Sequence, residues 1–148
     1  MTTKHEMTIK HETRHYQGLK INVSAWYSLD YSSALFNMDC STGDLMIGCC
    51  SLTYKDENDK RKVHIRNFLI EKQYRGKGYG SRFWKFIEKY IIKKASKPSE
   101  FHGDILPVDD FNIASSFWRK MGFQIIDKCS TSDEHTSGRI FKKANKTS

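Results

Sequence analysis

Around Arg75-Gly76-Lys77-Gly78-Tyr79-Gly80 the chain changes its hydrophobic period. Upstream, apolar residues come in short strand-like runs, the last of them Val63 to Ile70. Downstream, Phe83, Phe86, Ile87, Tyr90 and Ile91 fall at i, i+3, i+4, i+7 and i+8, with Arg82, Lys85, Lys89 and Lys93 between them. That spacing puts aromatic and aliphatic groups on one side of a helix and cations on the other. A strand feeding an amphipathic helix through a glycine-rich turn requires sheet and helix to share one core.

The rest of the chain extends this pattern. Ile21, Val23, Ala25 and Tyr27 alternate with Lys20, Asn22, Ser24 and Trp26, predicting a half-buried strand over Leu19–Tyr27. Further strands are expected at Ala34–Met38 and at Leu45–Tyr54, separated by a turn at Ser41-Thr42-Gly43-Asp44. Lys55–Lys62 reads as a polar connection, so four strands in succession suggest an antiparallel meander. After the helix, which Pro98 closes, Phe101–Leu106 is a fifth strand. Ala114, Phe117, Trp118 and Met121 mark a second helix ending at Gly122. Phe123–Asp127 and Arg139–Lys142 complete a mixed sheet of about seven strands with two main helices, an α/β (α+β) class. Residues 1–16 are expected to be a polar arm or edge strand, and 17–148 a single domain.

With 148 residues, 38% of them apolar, the chain can bury about two thirds of its unfolded surface without disulfide or metal staples. Its longest apolar runs are far short of the ~20 residues that span a bilayer, and Met1–Arg14 has no apolar signal region. A cytoplasmic protein with no membrane contact is expected. Cys40, Cys49, Cys50 and Cys129 form no Cys-x-x-Cys pair, and the histidines are not grouped with them, so core thiols and no metal are expected. The net charge of +8 is local: Lys60–Lys97 holds 13 basic and two acidic side chains, and the remaining residues are net −3. Such a field suits a polyanion, either nucleic acid or a phosphorylated small molecule, and also suits a merely solvated helix face.

The loop Arg75–Gly80 concentrates that chemistry. Its glycines allow close backbone approach, successive N–H groups at a helix start form an anion nest, and Arg75 and Lys77 add full charges to the helix dipole. A pyrophosphate is the natural occupant. The loop lacks the upstream glycine and the Ser/Thr of a P-loop. It also fails the spacing of the dinucleotide fingerprint, leaving Arg75-x-x-Gly78-x-Gly80.

In this setting the sequence resembles the GNAT superfamily of acyl-CoA N-acyltransferases over roughly Leu45 to Asp127. Phe68 through Gly80 is similar to the family's strand and pyrophosphate loop, and Phe117-Trp118-Arg119-Lys120-Met121-Gly122-Phe123 to its second signature. The resemblance implies a GNAT-like domain over 17–148 that transfers acetyl from acetyl-CoA, as co-substrate, to a primary amine by direct attack. By the same resemblance Phe68, Leu69 and Ile70 would pair with the pantetheine arm, while Arg75, Gly76, Lys77, Gly78, Tyr79 and Gly80 would hold the pyrophosphate. His64 matches a position where family members place a general base. Glu71, His102, Asp104 and Asp109 are further candidates for passing a proton through water.

Three departures accompany the likeness. Trp118 stands where the family has a thiolate-protonating tyrosine, leaving Tyr79 or solvent as the acid. Asn112 lies one residue closer to the helix signature than the family's asparagine. Only Ser28–Ser33 separate the first two expected strands, too few for the usual helical lid, so a macromolecular amine or a homodimer that completes the site is suggested. Two other functions stay open at this point: a nucleic-acid-binding module using residues 60–97, and an acyl-CoA binder without catalysis.

Overall fold

In the computed structural model, which describes residues 8–95, 98–106, 110–130 and 136–144, the first five strands form a continuous meander. They are β1 (Thr8–Tyr16), β2 (Leu19–Tyr27), β3 (Ser33–Thr42), β4 (Leu45–Glu57) and β5 (Lys60–Ile70). A 3-10 turn at Lys72–Tyr74 leads to α1 (Tyr79–Lys94). Then follow β6 (Glu100–Ile105), α2 (Phe111–Lys120), β7 (Gln124–Ser130) and β8 (Thr136–Lys143). The sheet order is β1-β2-β3-β4-β5-β6-β8-β7, antiparallel throughout except where α1 carries the chain over to set β6 parallel to β5. The mixed α/β class expected from the sequence is thus observed, with eight strands where about seven were expected.

The additional strand is β1, which pairs along its whole length with β2. A two-residue turn with Gln17 at φ 46° and Gly18 at φ 82° joins them, a backbone twist that matches the twist of a hairpin. The same physics converts most of the expected polar connection Lys55–Lys62 into strand. Asn58 and Asp59, at φ 52° and 62°, form the whole turn, and Glu57 faces Lys60. Polar composition had hidden a hairpin whose outer ends stand clear of the core. Arg61 fixes its base, donating to both oxygens of Asp56, to the Ala95 carbonyl at 2.6 Å and to the Tyr31 carbonyl at 2.7 Å.

Alternation decides the layers. Leu19, Ile21, Val23, Ala25 and Tyr27 of β2 and Ala34, Phe36, Met38 and Cys40 of β3 are all buried on one face. Both helices pack there. Phe83, Trp84, Ile87 and Ile91 of α1 are buried, and Trp84 meets Trp118 of α2 at 5.2 Å between ring centroids. The opposite face presents Lys20, Asn22, Asn37, Asp39, Lys55 and His64 to solvent, and among the described residues nothing lies over it. No helical lid joins β2 to β3, whose connection is the short turn Ser28–Ser32, pinned by Asp30 accepting from both the backbone and the hydroxyl of Ser32.

Candidate active site

Strands β5 and β6 are paired only from Lys62 opposite Glu100 to Ile65 opposite Gly103; beyond that point they part. Gly103 sits at the apex, where an added Cβ would come within 3.1 Å of the Ile140 side chain and 3.3 Å of Ile65, so a larger residue would have to push these neighbours aside. On its other side β5 stays paired with β4, but with a break in register. Ile65 faces Leu52 and Asn67 faces Ser51, so Arg66 has no opposite residue and bulges.

The bulge inverts the alternation. Before it Val63 and Ile65 point into the core; after it Phe68 and Ile70 do, and Leu69 turns to the open face, where it is 38% exposed. Phe68 wedges between the helices, its ring stacked on Phe83 at 5.6 Å and on Phe117 at 5.4 Å, with Trp84 and Trp118 edge-on. Aromatic packing therefore holds β5 away from β6, and the backbone from Arg66 to Ile70 lines one wall of the resulting gap. Gly48 allows β4 to follow this displaced segment, since a Cβ there would lie 2.6 Å from the Leu69 carbonyl oxygen.

The glycine-rich loop lies at the wide end of the gap. The Glu71 N–H donates to the Ile47 carbonyl and the Arg75 Nε to the Ile70 carbonyl at 2.8 Å, folding the loop back onto the end of β5. Gly76 and Gly78 have φ of 79° and 84°, the left-handed region that glycine enters without strain. Gly78 is the N-cap of α1. It offers no side-chain cap, and the first turn contains no acid, so the leading N–H groups face outward with the positive end of the helix dipole. Gly80 is fixed by packing, with the Phe117 ring 3.3 Å from where its Cβ would stand. Lys72 and Lys77 are exposed beside the turn, while Arg82 donates to the Gln17 carbonyl and lies over the Tyr79 ring.

At the narrow end His64 projects from β5 on the open face. Its Nε2 is 3.7 Å from an Asp104 carboxylate oxygen on β6, and His102 stands beside it in register. His102 contacts Glu100 at 3.3 Å, and Lys62 reaches the same carboxylate at 3.8 Å. The proximity of His64 to Asp104 was beyond sequence reasoning, because it depends on a parallel register established by the long connection through α1. The Arg66 bulge did leave a signal, in the change of apolar positions from odd to even between Ile65 and Phe68.

The other sequence candidates fall elsewhere. Glu71 is exposed at the start of the 3-10 turn. Tyr79 packs edge-on to Tyr74 at the opening of α1, and Asp109 lies outside the described residues. Asn112 is exposed on the first turn of α2, where its carbonyl accepts from Ser115. Trp118 is 6% exposed and surrounded by Phe68, Trp84, Phe117 and Phe123, so it is a core residue behind the gap. Burial raises the thiols of Cys40, to about 12, and Cys50, leaving both as inert core groups. Among the described residues no group of His, Cys, Asp and Glu is arranged to hold a metal.

Residues 37–125 match the family model of an acetyltransferase (GNAT) domain. A search of curated proteins by sequence finds no match. Among solved structures the chain is similar to Arabidopsis thaliana Naa50 in complex with the bisubstrate analogue CoA-Ac-MVNAL, at 18% identity and a TM-score of 0.57, covering 72% of this chain and 71% of that one. It is similar to the ribosomal-protein-S18-alanine N-acetyltransferase from Escherichia coli, at 12% identity, a TM-score of 0.57 and coverage of 77% and 72%. It is also similar to an aminoglycoside 6'-N-acetyltransferase complexed with coenzyme A, at 11% identity, a TM-score of 0.58 and coverage of 77% and 75%. At these identities the likeness is one of fold.

Proposed function

The chain belongs to the GNAT acetyltransferase family, and we propose that it is an N-acetyltransferase that takes acetyl-CoA as co-substrate and a primary amine as acceptor. The observation that carries this reading is the junction at β5. Where β5 parts from β6, its backbone loses a strand partner, and the same segment ends in an uncapped helix N-terminus flanked by Lys72 and Lys77. A long ligand with an amide-bearing arm and a pyrophosphate fits both features. Phe68, Leu69 and Ile70 would hold the arm through their backbone, while the N–H groups of the Arg75–Gly80 loop would take the pyrophosphate.

When bound, acetyl-CoA supplies an acetyl thioester whose carbonyl carbon accepts a neutral amine. An alkyl amine with a pKa near 10.4 is mostly protonated at neutral pH, so a base must act before or during attack. His64 would take that proton, since it stands at the apex of the gap and Asp104 is near enough to pair with the imidazolium that proton uptake creates. A β5 backbone N–H would polarise the acetyl carbonyl. The indole N–H of Trp118 is far too weak an acid to serve, so the thiolate would be protonated from solvent.

The uncovered face of the sheet bears on the acceptor. His64, Asp104 and Leu69 open onto it with no lid across them among the described residues, which favours an amine carried on a macromolecule over a small amine enclosed in a pocket. Thermal shift with acetyl-CoA, CoA and ATP tests the reading, followed by thiol release over a panel of peptide N-termini, lysines and small amines. Stabilisation by acetyl-CoA and by CoA but not by ATP is expected, and the absence of any stabilisation by acetyl-CoA overturns the proposal.

A further inference from the structure

The extra strand β1 does more than lengthen the sheet. It runs beside the C-terminal half of α1, and the two elements enclose a groove of about 160 Å3. Its floor is aromatic: Phe86 stacks on Tyr90 at 5.5 Å and meets Tyr16 of β1 at 6.0 Å. Its rim is cationic, made by Arg14 of β1 and by Lys89, Lys93 and Lys94 of α1. Lys89 lies 5.8 Å above the Tyr16 ring and Lys94 5.6 Å above that of Tyr90.

One carboxylate enters this group. Glu12 accepts from the Tyr90 hydroxyl and lies 3.4 Å from Arg14 and 4.0 Å from Lys94. Its partial burial raises its pKa, but the Tyr90 hydroxyl, Arg14 and Lys94 together outweigh that and hold the carboxyl below its ordinary value. Glu12 thereby orients the rim without neutralising it. Among the described residues Lys89 and Lys93 have no carboxylate within 4.0 Å.

We propose that this groove binds a single-stranded nucleic acid, with phosphates on the cationic rim and bases against Tyr16 and Tyr90. Two observations favour that occupant. Lys85, Lys89 and Lys93 are exposed at four-residue intervals, one ammonium about every 6 Å along the helix, a repeat comparable with successive phosphates of an extended strand. An aromatic floor beneath a basic rim suits bases with free faces; a duplex hides those faces, and an acidic peptide has no use for them. The groove is also distinct from the CoA loop, since Lys93 lies 14 residues beyond Tyr79, about 21 Å along α1. Arg14 and Tyr16 stand outside the segment that matches the family, and the groove does not depend on the acetyl-transfer reading.

Fluorescence anisotropy of the full chain with a short labelled oligouridylate is the test. Binding at low salt is expected, with log K falling against log salt at a slope of about −3 for four phosphate contacts. Lys89→Glu with Lys93→Glu should weaken binding more than about tenfold by removing the electrostatic contribution. Tyr16→Leu, which leaves the charge unchanged, should weaken it about tenfold through lost stacking. Circular dichroism of each variant should match the parent, and Lys93→Glu alone, at an exposed position, gives a second reading if the pair fails to fold. The proposal is overturned if the oligonucleotide does not bind at low salt or if Tyr16→Leu binds like the parent. Equal competition by polyglutamate or by phosphatidylserine vesicles also overturns it, as does loss of binding in Lys72→Glu with Lys77→Glu but not in the groove variants.

Discussion

Substitution of Gly78 separates two roles that one residue performs. At φ 84° and ψ 0° it occupies the left-handed region, and an added Cβ meets nothing within 4 Å. In the free protein Gly78→Ala should therefore lose only the conformational term, about 1–2 kcal/mol. For a chain of this size that is a fall of roughly 3–6 °C in melting midpoint. Gly78→Asn should lose less, because asparagine tolerates this region. The open space beside Gly78 is where a pyrophosphate would have to approach the backbone, so both side chains should obstruct it alike. Acetyl-CoA at about 100 times its Kd should raise the parent midpoint by an amount equivalent to about 2.7 kcal/mol, roughly 5–10 °C. Differential scanning fluorimetry with and without acetyl-CoA reads both effects. The midpoints of the free variants should rank parent, Asn, Ala, while the ligand-induced rise should vanish in both variants. A full rise in Gly78→Asn would refute the close-approach argument, and an unchanged midpoint in Gly78→Ala would refute the conformational one.

Other perturbations address the remaining parts. His64→Ala should leave the acetyl-CoA shift intact, lower kcat by about 10²–10⁴-fold and flatten the pH–rate profile, as measured by thiol release. Trp118→Ala should cost about 3–5 kcal/mol in urea unfolding, because it empties the centre of an aromatic cluster. Hydrogen bonds from Arg61 hold the Asp56 carboxyl below its ordinary 3.8, so this pair stabilises the fold fully above that value and loses its contribution as pH falls through the lower folded one. Asp56→Asn should accordingly be less stable than the parent at neutral pH, by under about 1 kcal/mol for so exposed a pair, with the difference closing in acid denaturation below about pH 4.

Local chemistry was the legible part of this protein. The loop Arg75–Gly80, the helical period of Phe83 to Ile91 and the glycine after Met121 each express a backbone requirement within a few residues, and each is found where the pattern indicated. At Gly122, φ is 94° and the N–H groups of Gly122 and Phe123 close the end of α2. Polar segments were harder to read. The ends of β4 and β5 and all of β1 hold few apolar residues, since a strand that projects past the core or lies at an edge is specified by its turn and its hydrogen bonds. The meeting of His64 with Asp104 was out of reach for another reason: the two are far apart in sequence, and their distance depends on how Phe68, Phe83, Phe117 and Trp118 pack.

The bulge at Arg66 places an unusual limit on how this gene can vary. Strand alternation acts as a reading frame of two, and Arg66 is a single inserted letter that shifts the frame in the middle of β5. Deleting it would restore continuous pairing with β4 and leave Phe68 and Ile70 facing the core, but it would remove the local bend and twist with which β5 leaves β6. Descendants of this sequence should therefore vary freely in length at Ser28–Ser32, where a lid could be gained, and hardly at all between Val63 and Ile70.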